Sequence, residues 1–513
     1  MKCHRRVART SVVAAACLLL AACITGPASA SEGTAPVSDL FLTAPVAGLF
    51  AVAPTTDLVA AAPTSELFAA VPGDSLGTLV APDSTVYPAA PKKRLLLAAT
   101  EIVGLNTAIW AYNRYLRQDG QNPGFRISLD SWQENFQNGY EWDDNSFATN
   151  QFAHPYHGSM YFNSARSNGY DFWESVPFAF AGSFMWEHFY ETHHPSYNDW
   201  VATSIGGTTL GEMMWRLSSM ILDNTATGGG RRWREVGGLL VDPMRGLTRM
   251  VTGEWSRVGP NPEGRFPNAQ ALQLDAGLRT VGEDKVWDND TTRVFVELQG
   301  FYGDPFKGDR KKPFDSIELG AMLNFGEAST LAGIKAHGLL GATQLKKSEN
   351  TEHLLGAFLN FDYANTFAYE SGGQSVGAGL LSRFSNTALG TIGTQVHLNG
   401  IILAGVKSDY GSFTGRDYDY GPGASAGISA GLIRHGRPWL FLGHNQFWVH
   451  TLNGTAGDHH LSITKVRLLV PIANALDVGA QYQLYLSENN YEDFEDTHHR
   501  YPEVRGFISL PLQ

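Results

Sequence analysis

The residues whose types and spacing could do chemistry lie between Trp142 and Glu254. Asn150-Gln-Phe-Ala-His154-Pro-Tyr-His157 sets two histidines three apart. On a helix starting near Pro155 both reach one side, a spacing used in metal sites. Glu187 and Glu191 lie four apart in an apolar, aromatic run, with His188, His193 and His194 close by. Asp199 follows Pro195-Ser196-Tyr197-Asn198 at the start of the next helical run, where it can serve a site or cap backbone donors. Glu212 and Arg216 come next at i, i+4, with Ser219 and Asp223 near the same face.

Charged groups on apolar helices are costly unless paired, so this set demands a role. Three arrangements are open. The groups form a structural network of Glu–Arg and His–Glu pairs, or they hold a divalent metal through His154, His157, Glu187 and Asp199. Otherwise they make a metal-free site for hydrolysis or a lipid headgroup, with His as base and Arg as anion binder. The candidate catalytic set is His154, His157, Glu187, Asp199, Glu212 and Arg216, and the candidate metal ligands are His154, His157 and Glu187. Between Trp142 and Glu254 no motif has the specificity of a H-E-x-x-H or a G-x-S-x-G. Thiol chemistry is excluded from the body of the chain, because its three cysteines are Cys3, Cys17 and Cys23.

Weaker candidates flank this set. Gly228-Gly-Gly-Arg231-Arg232 lacks the Lys-Ser/Thr of a phosphate-binding loop and reads as a flexible basic turn. His459-His460 and His498-His499 are expected in solvated loops.

The elements that must position these groups fall in two blocks. Residues 93–258 carry apolar runs with helical spacing at Leu95–Arg117, Phe172–Glu191 and Asn198–Asp223, interrupted by Glu101, Asn106, Glu187 and Glu212. Gly207-x-x-x-Gly211 suits a close helix–helix approach. From 265 to 513 the period switches to two. Ile317, Leu319, Ala321, Leu323 and Phe325 alternate with polar or small residues, as do Leu476, Val478, Ala480, Tyr482, Leu484 and Leu486. Similar stretches start near 270, 291, 329, 352, 374, 389, 420, 436, 458 and 500. Together they predict about 12 strands, each long enough to cross an apolar slab when tilted. The expected fold is α+β: an N-terminal helical domain followed by an antiparallel, about 12-stranded outer-membrane-type β-barrel. The ending Leu510-Pro511-Leu512-Gln513 lacks the terminal aromatic usual in such barrels.

Composition agrees with an exported envelope protein. A basic start (Lys2, Arg5, Arg6, Arg9) leads into an apolar stretch too short to span a bilayer, which reads as a signal peptide over 1–22. Leu20-Ala-Ala-Cys23 has lipobox form, with Cys23 as the lipid-anchored residue; Ala28-Ser-Ala30 offers an alternative cleavage after 30. Residues 23–92 repeat a nine-residue unit that sets Pro45, Pro54, Pro63 and Pro72 in register, as expected of a semi-extended linker or a docking motif for an envelope partner. The formal net charge of -12 argues against nucleic acid as a partner. A charged fraction of only 17% with 55 Gly suits a barrel facing lipid.

The stretch from Trp142 through His154-Pro-Tyr-His157-Gly-Ser-Met-Tyr-Phe-Asn163, with Phe172-Trp-Glu-Ser, Trp186-Glu187, Pro195-Ser-Tyr-Asn-Asp199-Trp, Gly206-Gly, Leu210-Gly-Glu212 and Arg216-Leu-Ser-Ser, resembles an envelope family. That family is the domain of unknown function DUF3943, and the likeness covers roughly 105–255. It implies an envelope location and no particular reaction. The expectation is an outer-membrane protein of envelope lipid homeostasis or transport, with its helical domain plugging the lumen or sitting on the periplasmic side. Two alternatives stand beside it: a lipid- or glycan-directed hydrolase, metal-dependent or not, and a structural envelope lipoprotein.

Overall fold

The computed structural model describes residues 92–116, 123–262, 264–287, 292–327, 329–411, 415–473 and 475–512. The leader, both cleavage sites, Cys23 and the nine-residue repeats lie outside the described residues.

The three apolar runs are helices, with ends within a few residues of those expected. Helix α1 (Leu95–Ala111) continues as a π turn through Leu116. It is followed by α2 (Leu129–Asn138) and by a π turn, Thr149–Ala153, that opens into α3 (His154–Ser167). Asp171 and Glu174 form a capping box that starts α4 (Phe172–Phe189). The short α5 (Tyr197–Val201), a π turn (Ala202–Gly206) and α6 (Gly207–Ile221) run on as one helix. Helices α7 (Gly228–Val241) and α8 (Pro243–Val251) complete the domain. In the central bundle α3 and α6 run one way, and α1 and α4 run the other. At Gly207 α3 and α6 approach closely: a Cβ there would lie 2.5 Å from the Gly158 carbonyl carbon.

Twelve strands close into one antiparallel barrel in chain order: β1 (Gln270–Val281), β2 (Thr292–Tyr302), β3 (Ile317–Phe325), β4 (Leu331–Lys347), β5 (Thr351–Asn365) and β6 (Glu370–Thr387), then β7 (Gly390–Lys407), β8 (Tyr418–Arg434), β9 (Arg437–His450), β10 (Gly457–Ala473), β11 (Leu476–Tyr491) and β12 (Thr497–Leu512). Closure is by β1 on β12, from Leu272↔Leu512 to Val281↔Glu503. One end carries tight connections such as 388–389 and 435–436, together with the first residue of β1 and the last of β12. The opposite end carries longer ones such as 408–417. The 303–316 connection is the long exception at the tight end.

Alternation sorts the two faces. The lumen takes the ion pairs Arg279–Glu503 (2.8 Å), Arg467–Asp275 (2.7 Å), Arg505–Glu297 (3.0 Å) and Lys335–Glu318 (2.6 Å). The outer face takes the apolar set, and on much of the circumference it is exposed: Leu398 on β7, Ile428 on β8, Leu442 on β9, Val466 and Leu468 on β10, Ile508 on β12. This is the polar-in, apolar-out pattern of a membrane barrel.

On β2 to β5 the same outward face is covered. Leu298, Leu319, Leu323, Leu359, Phe361 and Tyr363 are buried in one cluster with Phe147, Phe152, Phe162, Phe172, Leu210 and Met213 of the helical domain. Aromatic contacts carry the seam from end to end: Trp142 with Tyr420 (5.5 Å), Phe147 with Tyr363 (5.7 Å), Phe172 with Phe314 (5.2 Å). The helical domain therefore lies against the outer wall of the barrel. It is neither a lumen plug nor a cap below the barrel, because its partners have the outward parity. The paired histidines expected in loops are also relocated. His459 and His460 lie in β10 and His498 and His499 in β12, and His459 Nε2 sits in the wall 3.0 Å from Asp419 Oδ2.

Candidate functional site

The π turn before α3 and the capped start of α5 bring the His/carboxylate set together at the end of the bundle near the long loops. Ser196 caps α5 through its hydroxyl, which accepts from the Asp199 backbone N–H at 3.1 Å. This fixes Asp199 in the first turn, facing His154 at the first turn of α3. Glu187 reaches the same point from the last turn of α4. One donor atom from each of His154, Glu187 and Asp199 lies within 4.8 Å of the others.

The surroundings hold these atoms in place. His154 Nε2 stands 3.6 Å from Asp199 Oδ1, and its Nδ1 is 3.3 Å from Thr203 Oγ1. Glu187 Oε2 accepts from the Ser196 backbone N–H at 2.9 Å. Asp199 Oδ1 accepts from Asn198 Nδ2 at 2.8 Å, and that amide also donates to the Tyr420 hydroxyl of the barrel at 3.1 Å. The wall thus orients the side chains that orient the site.

A cavity of about 50 Å³, water-sized, adjoins the cluster. It is lined by His154, Asp199, His157, Asp143, Glu191, His193 and His194 among others, and its lining includes no Lys or Arg among the described residues. Burial, with the charge of Asp143 added, pushes Glu191 in the α4–α5 connection up to about 8. Glu187 Oε1 is buried without a hydrogen-bond partner. The carboxylates of Asp143, Glu191 and Asp199 around this cavity, with the orphaned Glu187 oxygen close to His154 and Asp199, form a donor set suited to a hard or borderline divalent cation. His154, Glu187 and Asp199 would hold it, leaving a position for water.

The remaining expected residues fall elsewhere. His157 lines the same cavity, but its Nε2 is 2.8 Å from the Tyr161 hydroxyl, so the third ligand within reach is Asp199. Glu212 and Arg216 lie at the far end of the bundle. There Glu212 accepts from Arg166 at 2.7 and 3.0 Å and from Arg216 at 2.8 Å, while Arg216 also donates to the Pro313 carbonyl at 2.9 Å. The basic island also resolves into structure: Arg249 pairs with Glu235 (2.7 Å), and Arg231 donates to the Trp255 and Asn224 carbonyls. Asp143 and Thr203 are members that sequence reasoning left out, and Glu191 was noted beside Glu187 without being placed in the candidate set; Asp143 sits one residue after Trp142 in the quoted motif.

A closed 12-stranded barrel, polar within and apolar without, with a helical domain on its wall, defines an outer-membrane-type barrel protein. Residues 139–244, which contain the whole His/carboxylate cluster, match the family described as Domain of unknown function (DUF3943). No curated protein matches the sequence. Solved structures with some similarity include a loop-deletion mutant of OmpT, an outer membrane protein of Vibrio cholerae (10% identity, 46% of this chain and 98% of that one, TM-score 0.21). Others are the CymD monoaromatic hydrocarbon channel (10%, 48% and 89%, TM-score 0.20) and the outer membrane protein opdK from Pseudomonas aeruginosa (13%, 48% and 100%, TM-score 0.18).

Proposed function

We propose that the protein works on envelope lipid in the outer membrane: its barrel crosses the bilayer, and its helical domain holds a divalent cation at His154, Glu187 and Asp199 for a hydrolytic step. The supporting observation is the convergence of those three donors within 4.8 Å beside a water-sized cavity. A cation held there would supply a water of lowered pKa and a Lewis acid for an ester oxygen. In the reaction the water oxygen bonds to the acyl carbon or phosphorus, the ester bond breaks, and the leaving oxygen takes a proton. Export by the leader 1–22, lipid anchoring at Cys23 and docking of an envelope protein on the repeats of 23–92 belong to the same proposal.

Metal analysis of the purified protein tests it. About one equivalent of zinc or manganese is expected, lost in His154→Ala and retained in His157→Ala, with both variants keeping the heat-modifiable mobility of a folded barrel on unboiled gels. Metal-free protein, or metal that survives His154→Ala, removes the cation and with it the hydrolytic reading.

A second reading, solute transport, rests on the lumen. It contains a cavity of about 320 Å³ lined by Glu318, Lys335, His337, Asp362, His397 and Lys465. Conductance in planar bilayers tests that reading separately.

A further inference from the structure

Two helices of the bundle, α1 and α4, turn large apolar side chains outward and hide polar ones, unlike helices of a water-soluble domain. Along α1 and its π turn, Glu101, Asn106 and Asn113 are buried, whereas Leu95, Leu96, Val103, Tyr115 and Leu116 are exposed. Helix α4 repeats the pattern. Ser175, Ser183 and Glu187 face the bundle, while Trp173 and Phe184 face outward. A helix in water turns its apolar face inward. One in lipid hides polar groups among its neighbours and turns apolar side chains out.

Two of the buried polar groups of α1, Glu101 and Asn106, are paired within the bundle. Glu101 accepts from Ser164 (2.9 Å), Asn168 (2.8 Å) and Thr248 (2.8 Å). Asn106 accepts from the Tyr161 hydroxyl at 2.5 Å and donates to the Gly182 carbonyl at 3.4 Å. These contacts tie α1 to α3, α4 and α8, with Ala98 and Ile102 the apolar residues of α1 that are buried beside them.

Length and position agree. The span Leu95–Leu116 has 22 residues, a mean hydropathy of 1.4 and only 22% of its most apolar window buried. At 1.5 Å per residue it is about 33 Å long, enough to cross a bilayer. Lys92, Lys93 and Arg94 precede it at the end that carries the barrel's tight turns, and Trp110 and Tyr115 lie toward the other end, as interface anchors do. The bundle is also seated on the outer wall, continuous with the exposed apolar belt of β7 to β12.

We propose that the helical bundle lies in the bilayer beside the barrel, so that lipid acyl chains cover the outward faces of α1 and α4. This rests on the outer-membrane reading of the barrel. It places the cluster of His154, Glu187 and Asp199 at the end of the bundle that faces the headgroups of one leaflet, where a lipid ester can approach from the side. The polar residues that α1 hides also keep its hydropathy modest for a spanning helix, which suits a segment that must pass through the inner membrane during export.

The test uses the full chain refolded into phosphatidylcholine vesicles, with Cys3→Ser, Cys17→Ser and Cys23→Ser. Single labels are introduced by Val103→Cys on α1, Phe184→Cys on α4, Ile428→Cys and Val466→Cys on the barrel belt, and Asp493→Cys in a barrel loop. Each is labelled with bimane, each variant is checked for heat-modifiable mobility, and brominated phosphatidylcholine serves as quencher. The helix positions are expected to lose as much fluorescence as the belt positions, with the loop position unquenched. Belt quenching without helix quenching overturns the inference and leaves the barrel reading standing. Absence of quenching at all positions overturns both.

Discussion

Glu212 on α6 is gripped by Arg166 on α3 through two hydrogen bonds, 2.7 Å from Nε and 3.0 Å from Nη2, and both side chains are largely removed from solvent. Arg216 completes the triad at 2.8 Å and anchors it to the barrel through the Pro313 carbonyl. Both guanidinium groups reach the same carboxylate, so it serves as a joint between two helices and the wall.

Glu212→Gln should therefore unfold the helical domain at lower denaturant, because it leaves two buried cations without their partner. A loss of about 3–5 kcal/mol is the usual consequence of breaking one side of a buried pair. The check is a urea titration followed by tryptophan fluorescence. Metal content in the folded protein should stay unchanged, since the triad lies at the opposite end of the bundle from His154. Loss of metal from a folded Glu212→Gln protein would show the two groups to be one site.

The seam between α3 and α6 depends on two residues without side chains. A Cβ at Gly207 would meet the Gly158 carbonyl carbon at 2.5 Å and its Cα at 2.6 Å. Backbone cannot yield as a side chain tip can, so Gly207→Ala must separate the helices. The expected cost is about 1–3 kcal/mol, as for other overpacked interiors. Gly104→Ala is the control, because nothing lies within 4 Å of a Cβ there and the site is on the exposed face of α1. Equal stability of the two variants in the same titration would contradict the close approach.

Much of this architecture was legible in the chain, for identifiable reasons. A barrel wall forces strict alternation, so all twelve strands begin within four residues of the positions where alternation or its flanking turns set in. The helical runs were equally readable, since their apolar residues outnumber the polar ones they hide. Which face of the barrel meets the helices was not readable. Leu319 on β3 and Leu398 on β7 have the same outward alternation, yet the first is 3% exposed and the second 65%. Only long-range packing distinguishes them. The site was half legible. His154, Glu187 and Asp199 were chosen by type and converge, but spacing alone could not reveal that Tyr161 occupies His157 or that Arg166 claims Glu212.

Asp242 carries a pH dependence away from the metal candidate. It caps α8 through Oδ1, which accepts from the Arg245 backbone N–H at 3.0 Å, while its Oδ2 is buried without a partner. Burial pushes this carboxyl up to about 7, against the pull of the Arg245 N–H and charge. A folded pKa above the unfolded value means that the protonated form is favoured on folding. The contribution is complete below about pH 4, the unfolded value, and is lost as pH rises through 7. Asp242→Asn keeps a capping oxygen and removes the titration. The variant should match the wild type in urea midpoint near pH 4 and exceed it at pH 8, by about 1–3 kcal/mol, the usual range for a buried unsatisfied group. Parallel pH profiles for the two proteins would refute the assignment.

The 303–316 connection offers the sharpest separation of lumen from wall, because it sends one phenylalanine to each. Phe306 enters the lumen with Leu339, Leu354, Phe358 and Leu381, under the Arg383 guanidinium at 4.2 Å, and Arg383 is fixed by Asp304 at 2.6 Å. Phe314 turns the other way and packs on Phe172 of α4 and over Gly338 on the outer face of β4. Phe306→Ala should open the tight-turn end of the lumen and raise single-channel conductance severalfold, with little effect on the helical domain. Phe314→Ala should leave conductance at the wild-type level and weaken the seam, at a cost of about 3–5 kcal/mol for a fully buried ring. If both variants conduct alike, Phe306 does not close the lumen, and the transport reading loses the gate that would make it regulated.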